Sequence, residues 1–128
     1  MTKKDIILDS SFLMVLSREK LSETLPLKSL LAQYNVVVPK AIVRELEKLA
    51  KGESIKAKNA RTALEIARNY KIIDEEGGGN VDDIVLEVAR KRSAAVATLD
   101  AELIANLKAI DIPVITLQKN RLAGLDDA

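Results

Sequence analysis

Two apolar runs in this chain stop on a carboxylate. Residues 6–8 (Ile-Ile-Leu) lead straight into Asp9, and residues 94–99 (Ala-Ala-Val-Ala-Thr-Leu) end on Asp100. Two further acids, Asp82 and Asp83, open a helical pattern after a run of glycines, and Glu45 lies inside another in PKAIVRELEKL. Carboxylates gathered in one pocket repel one another and raise each other's pKa unless a cation compensates. Hard divalent ions such as Mg²⁺ and Mn²⁺ take oxygen ligands, and Mg²⁺ usually keeps waters and substrate phosphates in its shell. One or two such ions can activate a water and stabilise the leaving oxygen of a phosphodiester. The chain of 128 residues contains no His and no Cys. Imidazole acid–base chemistry, a Ser-His-Asp triad, thiolate nucleophiles and sulfur–metal sites are therefore excluded. Metal-assisted carboxylate chemistry needs none of them.

Each acid also has an ordinary structural use. Asp is a favoured helix N-cap, and acids in a first turn suit the helix dipole. Glu45 reads equally well as a solvated helix acid paired with Lys48 at i+3. It reaches a sheet edge only if its helix crosses that edge. Ser11 and Thr98, hydroxyls beside acids, can cap or pack locally. A cap needs only one side chain, however, while LDSS and NVDD each offer three polar candidates. That surplus favours a site.

For distant acids to meet, the elements that carry them must end on one edge. Residues 6–8 read as a short strand and 11–16 as the start of a helix. Residues 25–31 read as a second short helix. The β-branched run Val36–Val38, stopped by Pro39, reads as a strand. Ile42, Leu46, Leu49 and Ala50 recur at helical spacing, with Gly52 as the expected stop. Ser54 is positioned to cap a helix whose apolar face is Ala57, Ala60, Leu64 and Ala67. Ile72 and Ile73 suggest a short strand, EEGGGN a loop, and VDDIVLEVARK a helix with acids first and bases last. A strand at 94–99, a helix at 101–109 and a strand at 113–117 follow. Strands alternating with helices predict an α/β fold, three-layer α/β/α around a central, mainly parallel sheet. Ligands of such sheets bind outside the carboxyl ends of the strands, where Asp9 and Asp100 would lie.

Hydrophobic residues make up 48% and charged residues 30%, a composition that excludes disordered and fibrous classes. The expected organisation is a single domain over residues 1–122 with a frayed tail at 123–128. No signal-peptide pattern or membrane-length apolar run is present, so the expected location is cytoplasmic. The net charge of +1 is uninformative, but residues 40–71 hold nine Lys or Arg against four Glu. Lys51, Lys56, Lys58 and Arg61 are candidate phosphate contacts, or parts of a solvated, charge-laced surface. With only Phe12, Tyr34 and Tyr70 as aromatics, base stacking would be limited. Phe12, Leu13 and Leu16 are either a dimer face or core.

In motif order the chain resembles the PIN-domain nucleases over nearly its whole length. ILDSSFL matches the family's opening strand and acid, with Asp9 and Ser11. PKAIVREL matches its second acid, with Pro39, Val43 and Glu45. VDDIVLEVA matches the third, Asp82, with Asp83 in an auxiliary or alternative role. ATLD matches the fourth, with Ala97, Thr98 and Asp100, and IPVITL resembles the closing strand. The resemblance is to archaeal members related to VapC-type toxins and to the nuclease that trims small-subunit ribosomal RNA. It implies a Mg²⁺- or Mn²⁺-dependent endoribonuclease acting on RNA, commonly a homodimer. The implied catalytic residues are Asp9, Glu45, Asp82 and Asp100. Asp9, Asp82, Asp100 and Asp83 are the implied metal ligands, and Ser11 and Thr98 orient a carboxylate or a metal-bound water. The implied partners are RNA and an antitoxin protein or a ribosomal precursor, with no membrane.

Two other readings belong to different classes. A non-catalytic RNA-binding or scaffold protein of the same fold would more naturally have lost one of the acids. A phosphorylation receiver also carries acids at strand ends, but it needs an acid pair after its first strand, where ILDSSF supplies one.

Overall fold

The computed structural model describes residues 3–18, 27–75, 79–118 and 121–124. In chain order these form β1 (Lys4–Leu8), α1 (Ser10–Arg18), α2 (Leu27–Ala32), β2 (Tyr34–Pro39), α3 (Lys40–Leu49), α4 (Ile55–Ala67) and β3 (Lys71–Ile73). There follow α5 (Val81–Arg92), β4 (Ala95–Ala97), α6 (Ala101–Ala109), β5 (Val114–Gln118) and β6 (Arg121–Gly124). Leu25 and Pro26 of the expected second helix, and residues 76–78 of the expected glycine loop, lie outside the described residues.

The sheet runs β3-β2-β1-β4-β5-β6. The first five strands pair in parallel, and β6 adds an antiparallel edge. The α/β architecture with a mainly parallel sheet is thus as expected. The chain steps outward from β1 to β3, then returns across β1 to start again at β4. That reversal makes the crevice between β1 and β4 the topological switch point, where open α/β sheets bind ligands. A receiver-type sheet has the order 2-1-3-4-5, so the observed order removes that reading.

Burial explains the strands. Ile6, Ile7 and Leu8 are all fully buried, side chains of both faces alike, because helices cover the sheet on both sides. Their register sets Leu8 against Ala97. Phe12 and Leu13 are also fully buried, so they belong to the core and not to a dimer face. β4 is shorter than the apolar run suggests: it stops at Ala97, and Thr98 to Asp100 leave the ladder. Thr98 keeps one tie, its N–H donating to Ile115 O at 3.0 Å.

The helix ends follow local chemistry. Pro39 stands at the N-cap of α3 with no side-chain cap bond. α3 closes at Ala50 in right-handed geometry, not at the expected Gly52. Gly52, at φ +98°, instead turns the chain beyond the helix, a conformation that costs glycine little. Ser54 caps α4 as expected, accepting from Ala57 N at 3.0 Å. α5 carries Asp82 and Asp83 in its first turn and Arg90, Lys91 and Arg92 in its last, as the dipole favours. β6 includes Ala123 and Gly124, which the sequence pattern assigns to the tail. No helix among the described residues is long and apolar enough to cross a membrane.

Candidate active site

Asp9 follows β1 directly and is only 4% exposed. It occupies the N-cap position of α1, and its carbonyl accepts from Leu13 N at 3.0 Å. Among the described residues its carboxylate takes hydroxyls and no backbone amide of α1. Ser11 Oγ donates to Asp9 Oδ2 at 2.9 Å, and Thr98 Oγ1 donates to the same oxygen at 2.8 Å. Each hydroxyl has one proton, so both donors are committed to Asp9, and their 3.1 Å separation from each other is a consequence. Backbone amides hold both hydroxyls in turn: Leu99 N donates to Ser11 Oγ at 3.0 Å, and Asp100 N to Thr98 Oγ1 at 3.1 Å. A buried carboxylate fixed this way through one oxygen leaves Oδ1 for other work.

Asp100 combines the two readings open to it. Its Oδ1 accepts from Leu103 N at 3.0 Å and caps α6, and the residue also lines the same cleft as Asp9. Glu45 reaches this edge from the middle of α3, where the Ser10 hydroxyl donates to its Oε1. Asp82 arrives from the first turn of α5. Asn80 already caps that helix, accepting from Asp83 N at 2.9 Å, so neither acid behind it is needed as a cap.

The four carboxylates line one open cleft of about 610 Å³, with Ser10, Ser11, Lys48 and the Gly79–Val81 turn. Their mutual field is visible at Asp82, whose carboxyl is held above the ordinary Asp range. Burial contributes most, followed by Asp100, Asp9, Glu45 and Glu102. Lys48 is the only basic side chain among the lining residues. Among the described residues, no group of three acids stands close enough to hold a metal ion directly. The donor set is all oxygen, and Mg²⁺ characteristically binds through one or two carboxylates and retained waters. The residues therefore fit a hard divalent cation bound partly through water.

Asp83 is not brought into the cleft. Successive helix positions point about 100° apart. The exposed Asp83 side chain lies back against Gly79, where a Cβ would meet its Oδ2 at 3.2 Å. Of the basic candidates, Lys56 lines a neighbouring cleft that shares Ser11. Lys51 and Lys58 are exposed and line neither cleft. Arg61 is engaged structurally. Its Nη1 donates to Ala50 O at 2.7 Å and to Gly52 O at 3.0 Å, clasping the end of α3. Sequence reasoning alone does not find Ser10, Asn80 or the cleft-facing role of Lys48. The surplus of polar residues in LDSS and NVDD is the available signal for the first two.

Fold and site define an α/β domain with an acidic cleft at the switch point of its sheet. The PIN like domain family matches residues 6–120, and the chain belongs to that family. Ribonuclease VapC4 of Methanocaldococcus jannaschii is 28% identical to it over 121 residues, 91% of this chain and 92% of that protein. Among solved structures, the PIN domain endonuclease Utp24 superposes with a TM-score of 0.71 at 22% identity, over 94% of this chain and 90% of that one. A domain of a functionally unknown protein from Methanocaldococcus jannaschii gives 0.68 at 18% identity, over 90% and 91%. At these identities the two structures speak for the fold.

Proposed function

We propose that the protein is a Mg²⁺- or Mn²⁺-dependent endoribonuclease that hydrolyses RNA phosphodiester bonds. The observation that carries this reading is the convergence of Asp9, Glu45, Asp82 and Asp100 on one cleft at the β1–β4 switch point. Membership of the PIN family and the full-length likeness to a ribonuclease support it.

In this reading Asp9, Asp82 and Asp100 would hold the cation, in part through water, and the cation would supply an activated water and neutralise charge at the phosphodiester. Ser11 and Thr98 fix the Asp9 carboxylate so that its free oxygen keeps one direction. Glu45, anchored by Ser10, serves as a further ligand or accepts the proton of the attacking water. Lys48, the one basic side chain lining the cleft, would contact an RNA phosphate. Water adds at phosphorus and one P–O ester bond breaks, so one fragment keeps the phosphate and the other a hydroxyl.

The likeness to Ribonuclease VapC4 favours a toxin-type role with an antitoxin partner over ribosomal RNA processing. The homodimer that the family resemblance implies belongs to the same proposal.

The test is incubation of labelled single-stranded RNA with wild type and Asp9→Asn, in Mn²⁺, Mg²⁺ or EDTA. Cleavage by wild type with either ion, and by neither protein in EDTA, is expected. Cleavage that survives EDTA or the substitution would sink the metal-site reading. Equal RNA binding by both proteins without cleavage by either would favour the scaffold reading instead.

A further inference from the structure

A second cleft adjoins the acidic one. It encloses about 540 Å³ and is lined by Ser11, Met14, Val15, Arg18, Ile55, Lys56, Asn59 and Leu99. Ser11 lines both clefts, so the two are neighbours across its side chain. Leu99, between Thr98 and Asp100, forms part of its wall. Its lining is aliphatic at Met14, Val15, Ile55 and Leu99 where the first cleft is charged, and its basic members, Arg18 and Lys56, come from α1 and α4.

Ile55 is the unusual member. It is the first residue of α4 and is 78% exposed, the most exposed large hydrophobic side chain among the described residues. Neither helix capping nor core packing requires an apolar residue there. It lines the same cleft as Met14 and Leu99. Lys56 and Asn59 flank it, and among the described residues neither side chain is engaged in a salt bridge or a side-chain hydrogen bond. An apolar platform with one amide and a cation beside it suits a nucleobase with its flanking phosphate. The bases of RNA present flat apolar faces and polar edges, and proteins bind them by covering the face and contacting backbone charge.

We propose that this cleft seats the nucleotide next to the cleaved phosphodiester. Ile55, Met14 and Leu99 cover its base, Asn59 contacts the base edge, and Lys56 contacts its phosphate. The proposal rests on the nuclease reading for the position of the scissile bond. The absence of an aromatic platform means that affinity from this seat is modest and that discrimination among bases comes mainly through Asn59.

The test uses the 128-residue protein with Ile55→Ser, Lys56→Gln and Asn59→Ala, and Lys108→Gln, an exposed lysine of α6 outside both clefts, as a control. Ile55 and Lys56 are exposed, so their substitution leaves the fold intact, and circular dichroism checks this. Cleavage of short single-stranded RNAs should show KM raised on the order of threefold to tenfold in the three cleft variants, with kcat within about twofold. Lys108→Gln should match wild type. The Asn59→Ala variant should also lose whatever base preference wild type shows beside the cut. The same substitutions in an Asp9→Asn background, read by fluorescence anisotropy of labelled RNA, should weaken binding by a similar factor. Wild type that never cleaves, with cleft variants that still lose binding, would overturn the nuclease reading and leave the seat standing. Cleavage or binding by the cleft variants equal to that of Lys108→Gln would overturn the seat, as would no RNA binding by any of the proteins.

Discussion

Thr98 donates its hydroxyl proton to Asp9 Oδ2 at 2.8 Å, joining residues 89 positions apart in the chain. The bond lies one step beyond the last paired residues of β1 and β4, Leu8 and Ala97. The central strands of the sheet are thus tied by their site residues as well as by their ladder. Thr98→Val keeps the shape and removes the donor, and it leaves Asp100 N–H without its acceptor. A loss of about 1–3 kcal/mol in urea unfolding is expected, with cleavage reduced on the order of tenfold to hundredfold. Thr98→Ser should restore much of both. A valine variant as stable and active as wild type would remove the orienting role of Thr98.

The raised Asp82 carboxyl has a consequence for stability. Its folded pKa lies above the unfolded value, so the folded state binds the proton more tightly. Stability from this group is therefore greatest at low pH and falls as pH rises from the ordinary Asp value of about 3.9 through the folded value. At neutral pH, without divalent ions, Asp82→Asn should raise the melting temperature. The gain should be under about 1 kcal/mol because solvent screens a partly exposed group. It should shrink as pH is lowered toward the ordinary Asp value. Thermal scans across pH check this, and a variant less stable than wild type throughout would contradict it.

Divalent ions should reverse that ranking. An ion that binds only the folded protein stabilises it, by about 2.7 kcal/mol at a hundredfold excess over Kd. Mg²⁺ or Mn²⁺ should therefore raise the melting temperature of wild type and leave Asp9→Asn and Asp82→Asn nearly unmoved. Cleavage by these two variants should fall by on the order of a hundredfold or more. Equal thermal shifts in all three proteins would place the ion elsewhere.

Arg61 and Lys56 should separate cleanly. Arg61→Ala removes the two bonds to Ala50 O and Gly52 O, costing about 0.5–1.5 kcal/mol of stability. Its RNA affinity should stay at the wild-type value. Lys56→Gln should do the opposite. Urea titration beside an RNA-binding isotherm reads both, and weaker RNA binding by folded Arg61→Ala would return Arg61 to the RNA surface.

Much of the fold is legible in the sequence because its cues are local. The Ile6–Leu8 run, the Ser54 cap and the acids that open α5 act within a turn or two of chain, and each marks its element directly. The alternation of strands and helices then leads to the sheet. Element ends are less legible. Gly52 is the obvious stop for α3, yet Ala50 closes the helix and the glycine serves the turn beyond. β6 escapes the sequence pattern because RLAG carries little strand signal and is defined by pairing with β5.

Within the site, types are legible and directions are not. Asp82 and Asp83 are equivalent in sequence, and only the seating of α5 turns one toward the cleft and the other back on Gly79. Glu45 and Lys48 have the spacing of an i, i+3 surface pair, but α3 presents both to the acids of three other elements. Arg61 has the character of a phosphate contact until the end of α3 comes within its reach.

By itself the sequence determined the available chemistry: oxygen donors, no imidazole, no thiolate, and acids behind apolar strands. Those properties belong to residues and their near neighbours. The tertiary structure decided which acids meet, because that depends on strand register, and a slip of one residue would turn every side chain to the opposite face. With Leu8 set against Ala97, Asp9 meets Thr98, and the cleft closes around a carboxylate that neither strand could orient alone.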